Sequence, residues 1–179
     1  DVPGHFRFRH ALIRDAAYEG LSYRRRRELH GQVADVIERR HGDRPEDAAE
    51  QLSLHFYRAG RSEKAWEHSL AAGRRAQAKW ANAEAVEFYR RAIDVSSEIA
   101  AIDTREIAAV WKAIGNCLHL LGKLGEADEA FAASRRLVPK DAPEHIELMR
   151  KQGLLRDDMG RYADAIRWYT RGLKALDAL

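Results

Sequence analysis

Trp111-Lys112-Ala113-Ile114-Gly115-Asn116-Cys117-Leu118 decides the fold. An apolar residue stands three positions after the tryptophan, a glycine four after it, and Leu118 three beyond the glycine. Gly122, Ala127, Phe131 and Pro139 follow at intervals that suit a turn, a second helix and its end. Two antiparallel helices approach closely only where glycine or alanine leaves room, and an aromatic ring fills the space beside that contact. The stretch therefore predicts a helical hairpin, and a proline past its second helix marks where that helix stops.

The same pattern recurs on both sides. Ala65, Ala85, Ala127 and Ala165 align as the small residues of second helices. Tyr89, Phe131 and Tyr169 follow four later in three of them, and Ser69 holds that place in the first. Gly73, Gly115 and Gly153 take the first-helix glycine place, while Gly60, Trp80, Gly122 and Gly160 fall in the turns. The spacing is uneven: 20 residues from Ala65 to Ala85, 42 to Ala127 and 38 to Ala165. The short interval makes the helix near 63–79 serve two neighbouring pairs, and the long ones predict longer helices. The expectation is an all-α stack of about seven antiparallel helices over 46–178.

Composition agrees. The 179 residues are 45% hydrophobic and 33% charged, with 12 glycines and 4 prolines. This is the profile of a folded, helix-rich chain and not of a disordered one. The longest apolar runs are far too short to cross a bilayer, so no membrane partner is expected. One cysteine, Cys117, excludes an internal disulfide; its place beside Gly115 predicts a buried packing residue in a reducing, cytoplasmic compartment. The chain opens on Asp1 without a signal-peptide layout, as a piece of a longer protein would.

The net charge of +3 comes entirely from the first quarter. Residues 1–45 hold 10 Lys/Arg against 7 Asp/Glu, and residues 46–179 hold 21 against 21. The sequence divides accordingly into an N-terminal helical segment, 1–42, and helical repeats, 43–179. Residues 5–9, His-Phe-Arg-Phe-Arg, alternate and predict one short strand. Helical spacing begins near His10, breaks at Gly20–Ser22, and resumes to about Arg40, where Gly42 stops it. Asp43, Asp103 and Asp141, each followed three later by glutamate, predict N-caps.

Arg24-Arg25-Arg26-Arg27 is the strongest basic run, and it supports a runner-up reading as a phosphate-contacting surface on nucleic acid. Four consecutive helical positions spread round every face, however, which sets Arg25 and Arg26 near the buried stripe that includes Leu29. No interleaved aromatics accompany them. Trp66, Trp80, Trp111 and Trp168 are expected to pack between helices. Eight histidines are scattered with no His-Glu-x-x-His and no pair four apart, so no metal site is expected. Neither a Ser/His/Asp arrangement nor a phosphate loop is legible: Gly122-Lys123 leads into Leu124 and lacks the earlier glycine. No catalytic residue and no cofactor are nominated.

Residues 66–99, 108–141 and 146–179 resemble tetratricopeptide repeats, with 46–79 a degenerate fourth. The opening Phe6-Arg7-Phe8-Arg9-His10 through Tyr18, with Arg27-Glu28-Leu29-His30, is similar to a junction in STAND-type signalling ATPases. There it follows a winged-helix region and leads into a helical-repeat arm; some members carry cyclase or transcription-regulator domains. The tetratricopeptide resemblance implies a right-handed superhelix with a concave groove lined by first-helix positions. In this sequence those include Arg74 and Gln77, then Lys112, Asn116 and His119, then Arg150 and Asp157. Lys112 and Asn116 look like half of a carboxylate clamp, although Leu154 stands where the next repeat would need asparagine.

Together these features predict a non-catalytic protein-interaction scaffold of a signalling or regulatory protein. Its groove would bind a peptide or another part of its own parent through Arg74, Gln77, Lys112, Asn116, His119 and Arg150. Self-association through exposed solenoid ends is a further expectation.

Overall fold

The computed structural model describes residues 11–42 and 44–177, and among them it contains nine α-helices and no strand. The expected strand at 5–9 lies outside the described residues. The helices are α1 (Ala11–Glu19), α2 (Tyr23–Arg40), α3 (Ala49–Ala59), α4 (Ser62–Ala78) and α5 (Asn82–Ser96). They continue as α6 (Thr104–Leu120), α7 (Leu124–Leu137), α8 (Pro143–Asp158) and α9 (Tyr162–Leu176), with a 3₁₀ turn at Pro45–Ala48. Seven of the helices follow residue 46, as the repeat spacing requires.

Local chemistry sets the boundaries. Ser22 Oγ accepts from the Arg25 N–H at the start of α2, and Asp103 accepts from the Arg105 N–H (2.9 Å) at the start of α6. Asp141 does not cap: α8 begins at Pro143 with Ala142 as its N-cap, because proline needs no N–H partner in the first turn. Asp43 lies outside the described residues. The tight turns after α3, α6 and α8 each place a glycine at positive φ, Gly60, Gly122 and Gly160. After α4 the same conformation falls on Trp80 (φ 62°), which is 78% exposed. Trp80 therefore does not pack between helices as its residue type suggested; Trp66 does, at 8% exposure.

Each hairpin closes on one contact. Gly73, Gly115 and Gly153 meet the rings of Tyr89, Phe131 and Tyr169, each 16 residues on, so closely that an added Cβ would lie 2.5 Å from a ring carbon. At the same interval between α3 and α4, Ser53 and Ser69 replace glycine and aromatic with a buried hydroxyl–hydroxyl bond of 2.7 Å. Ala65, Ala85, Ala127 and Ala165 are all buried beside these contacts. Phe56, Leu52, Ile114, Leu118, Phe131 and Leu148 fill the core between them.

Bonds between alternate helices show two layers. Lys64 pairs with Glu38 across α4 and α2, and Lys112 with Glu147 across α6 and α8. On the other side, Tyr57 of α3 reaches Asp94 of α5, and Arg90 of α5 reaches Glu126 of α7 (2.8 Å). α2 packs on α3, and Arg61, just before α4, binds Asp35 of α2. The extra residues between Ala85 and Ala127 divide between a 17-residue α6 and the linker at 97–103.

Candidate functional site

Even-numbered helices α4, α6 and α8 present the first-helix positions side by side, and the nominated residues separate into two kinds. Lys112 donates to Glu147 (2.9 Å), Asn116 accepts from Lys151 (2.9 Å), and His119 meets Asp158 (2.6 Å). These three form a polar ladder that ties α6 to α8. Lys112 already has a carboxylate partner, so a peptide carboxylate would have to compete with Glu147 for it. Burial and then Glu147, Arg150 and Lys112 act on the Lys151 ammonium, whose pKa is held below its usual value. Gln77 is also engaged, accepting from the Tyr89 hydroxyl (3.0 Å). Burial, with Cys117 nearby, pushes that phenol up to about 12, so it stays a donor at any working pH.

Arg74 and Arg150 are the open pair. Both are exposed, and neither makes a hydrogen bond or ion pair among the described residues. Arg74 stands over a hollow of about 400 Å³ between α4 and α6, with Leu70, Ala109, Val110 and Ala113 in its walls and Glu106 at its edge. An apolar floor with one cation and one anion at the rim accommodates a side chain and orients the backbone that carries it. The sequence reading missed Leu70, Glu106, Ala109 and Ala113. Leu70 and Ala109 occupy first-helix groove positions of their repeats, and recognition surfaces use apolar floors as much as charged rims.

The arginine run is drawn into the fold. Arg24 and Arg25 both bind Glu28, which holds that carboxyl below its usual range through their hydrogen bonds. Arg25 is exposed, not turned to the buried side: the buried positions of α2 are His30, Gly31 and Ala34, with Leu29 only half-buried, so Arg26, four before His30, turns inward instead. Arg26 lies over the Tyr18 ring (5.4 Å), and Arg27 donates to the Ala59 carbonyl at the end of α3 (3.1 Å). Cys117 is fully buried, and burial raises its thiol pKa, which suits packing and not nucleophilic chemistry. Among the described residues no group of three or more His, Cys, Asp or Glu could hold a metal ion. No helix among them is long and apolar enough to cross a membrane.

Two layers of helices closed by glycine–aromatic contacts define a TPR-like helical-repeat protein, and solved structures share that fold. A crystal structure of MamA matches with a TM-score of 0.54 at 14% identity, covering 87% of this chain and 93% of that one. BtubC from P. vanneervenii matches with a TM-score of 0.54 at 11% identity (89% and 59%), and MamA of Desulfovibrio magneticus RS-1 with 0.51 at 12% (86% and 96%). In sequence, an uncharacterized protein of Rhizobium meliloti (strain 1021) is 29% identical over 153 residues, 84% of this chain and 14% of that protein. The chain thus spans about a seventh of the length of the curated relative it matches. No family model matches it.

Proposed function

We propose that this chain is a non-catalytic protein-interaction scaffold whose groove along α4, α6 and α8 holds an extended peptide segment. The observation that carries this reading is the hollow between α4 and α6, apolar at its floor and flanked by Arg74 and Glu106. Arg74 and Arg150, without a partner among the described residues, supply the cations that meet acidic groups of the partner. Gln77, Lys112, Asn116 and His119 complete the contact surface, and Lys112 trades Glu147 for a partner carboxylate only when the partner offers better geometry.

The finer reading is a sensor arm of a cytoplasmic STAND-type signalling regulator. It is supported by the resemblance at residues 5–40 and by a relative several times longer than the matched region. A phosphate-loop ATPase encoded in the same open reading frame upstream of Asp1 is its direct test; a frame without one removes it.

A displayed peptide library selected on the 179-residue protein tests the groove. Enriched peptides are expected to lose binding to Ala109→Arg, which fills the hollow, and to weaken against Arg74→Glu and against Lys112→Ala with Asn116→Ala. The unfolding midpoints of these variants should stay near that of the parent. Peptides that bind Ala109→Arg and Arg74→Glu as tightly as the parent place the binding surface elsewhere.

A further inference from the structure

A second concavity opens on the opposite side, where α1 and α2 face α3 and the end of α5. It encloses about 590 Å³, inside the range of small-molecule sites. Arg26 and Arg27 of α2 and Arg58 of α3 line it, together with Asp94 of α5 and Glu98 just beyond the end of that helix.

Arg26 is the residue that distinguishes this cleft. Its guanidinium lies over the Tyr18 ring (5.4 Å), and the side chain makes no hydrogen bond or ion pair among the described residues. Contact with an aromatic face leaves the guanidinium charge unneutralised, which is the state that receives an oxyanion. Arg58 likewise has no carboxylate partner. Its charge reaches the cleft: after burial, it is what holds His55 below the ordinary histidine value, and it acts on His30 as well. Arg27 spends only Nε, on the Ala59 carbonyl. Among the described residues these three guanidiniums thus carry no carboxylate between them.

The lining contributed by α5 and the residues after it has the opposite character. Asp94 accepts a long bond from Tyr57 (3.4 Å), and Glu98 accepts from Ser62. Both carboxylates retain free lone pairs for a ligand's donors. A monoanion would leave the arginines underneutralised, whereas a phosphomonoester carries close to two charges at neutral pH and offers three acceptor oxygens. We propose that this cleft binds a small hydroxyl-bearing phosphomonoester, with its phosphate between Arg26 and Arg58 and its hydroxyl groups toward Asp94 and Glu98. The site is separate from the peptide groove and does not depend on that reading.

Calorimetric titration of the 179-residue protein with ribose 5-phosphate, ribose and inorganic phosphate tests it. Ribose 5-phosphate should bind saturably, ribose should not, and inorganic phosphate should bind more weakly than the ester. Arg58→Gln, a substitution at an exposed position that leaves the fold intact, should weaken the ester by about tenfold or more. Arg26→Gln should do the same, while Arg24→Gln, whose parent side chain is already paired with Glu28, should leave affinity unchanged. The proposal is overturned by no saturable binding of the ester at millimolar concentration, by equal affinity for ester and inorganic phosphate, or by undiminished binding to Arg58→Gln.

Discussion

A methyl group added at Gly115 would sit 2.5 Å from the Phe131 ring. In an unobstructed helix, glycine to alanine stabilises by roughly 1 kcal/mol. Here the clash decides the sign, because the ring is packed on all sides and cannot swing away. Gly115→Ala is expected to destabilise by about 1 to 3 kcal/mol in urea unfolding. Phe131→Leu in the same background should return part of that loss. An alanine variant as stable as the parent would show that the rods do not meet at this point. Trp80 presents the reverse case. Its left-handed backbone costs a side-chain-bearing residue about 1 to 2 kcal/mol, and its exposed indole recovers little of that by burial. Trp80→Gly should therefore gain about 0.5 to 1 kcal/mol, after the added flexibility of the unfolded chain is allowed for. A loss of stability would mean that the indole makes contacts in solution worth more than the strain.

At the level of elements, the caps give a matched pair. Asp103→Ala removes the acceptor for the Arg105 N–H at the head of α6 and should cost about 1 kcal/mol. Asp141→Ala, one position outside the N-cap of α8, should cost nothing measurable by the same urea titration. The joint between α1, α2 and α3 responds to acid. Tyr18 Oη lies 2.9 Å from His30 Nε2, and His30 Nδ1 lies 2.9 Å from His55 Nδ1, so the Nδ1–Nδ1 bond needs at least one neutral imidazole and is lost when both are protonated. Burial first, then His55 and Arg58 for His30 and Arg58 for His55, hold both below the ordinary value of 6.5. The unfolded chain therefore takes up protons before the folded one does, and the stability present above about pH 6.5 is lost as pH falls through the folded values. Hydrogen exchange in α1 and α2 should accelerate between pH 7 and pH 5 while α6 changes little; a uniform response along the chain would sink the assignment. These elements also divide what was legible in the chain from what was not. Glycine and aromatic 16 residues apart announce a hairpin because the contact itself demands those two side chains. Ser53 and Ser69 make the same contact by hydrogen bonding, which no small–aromatic pattern detects. The candidate groove's polar residues follow from repeat position, but their partners Glu147, Lys151 and Asp158 lie on α8, two helices on and 35 to 39 residues away. The second cleft draws on α1, α2, α3 and α5 together, and no local spacing encodes it.

Across the whole molecule, each hairpin touches only its neighbours, so stability accumulates along the stack and is not set by one central core. A middle helix is covered on both sides: α4 buries Ser62, Ala65, Trp66, His68, Ser69, Ala72, Gly73 and Ala76. The last helix is covered on one, and α9 buries only Ala165 and Gly172 while Ile166, Leu173 and Leu176 stand more than half exposed. The positions of Val86 and Ile93 on α5, which the following helix covers, correspond to Ile166 and Leu173 on α9. Protection against hydrogen exchange should accordingly fall from α4–α7 toward α9, because opening the end breaks one interface and opening the middle breaks two. The same arithmetic separates two chemically identical substitutions. Gly153→Ala places a methyl as close to Tyr169 as Gly115→Ala does to Phe131. At the end of the stack the clash should be relieved by local opening of α8 and α9, raising exchange there and leaving α4–α6 protected. In the middle it should lower protection on both sides of α6 and shift the global midpoint further. Equal midpoint shifts with equally spread exchange would show instead a single cooperative unit, in which the position of a hairpin along the stack has no energetic meaning.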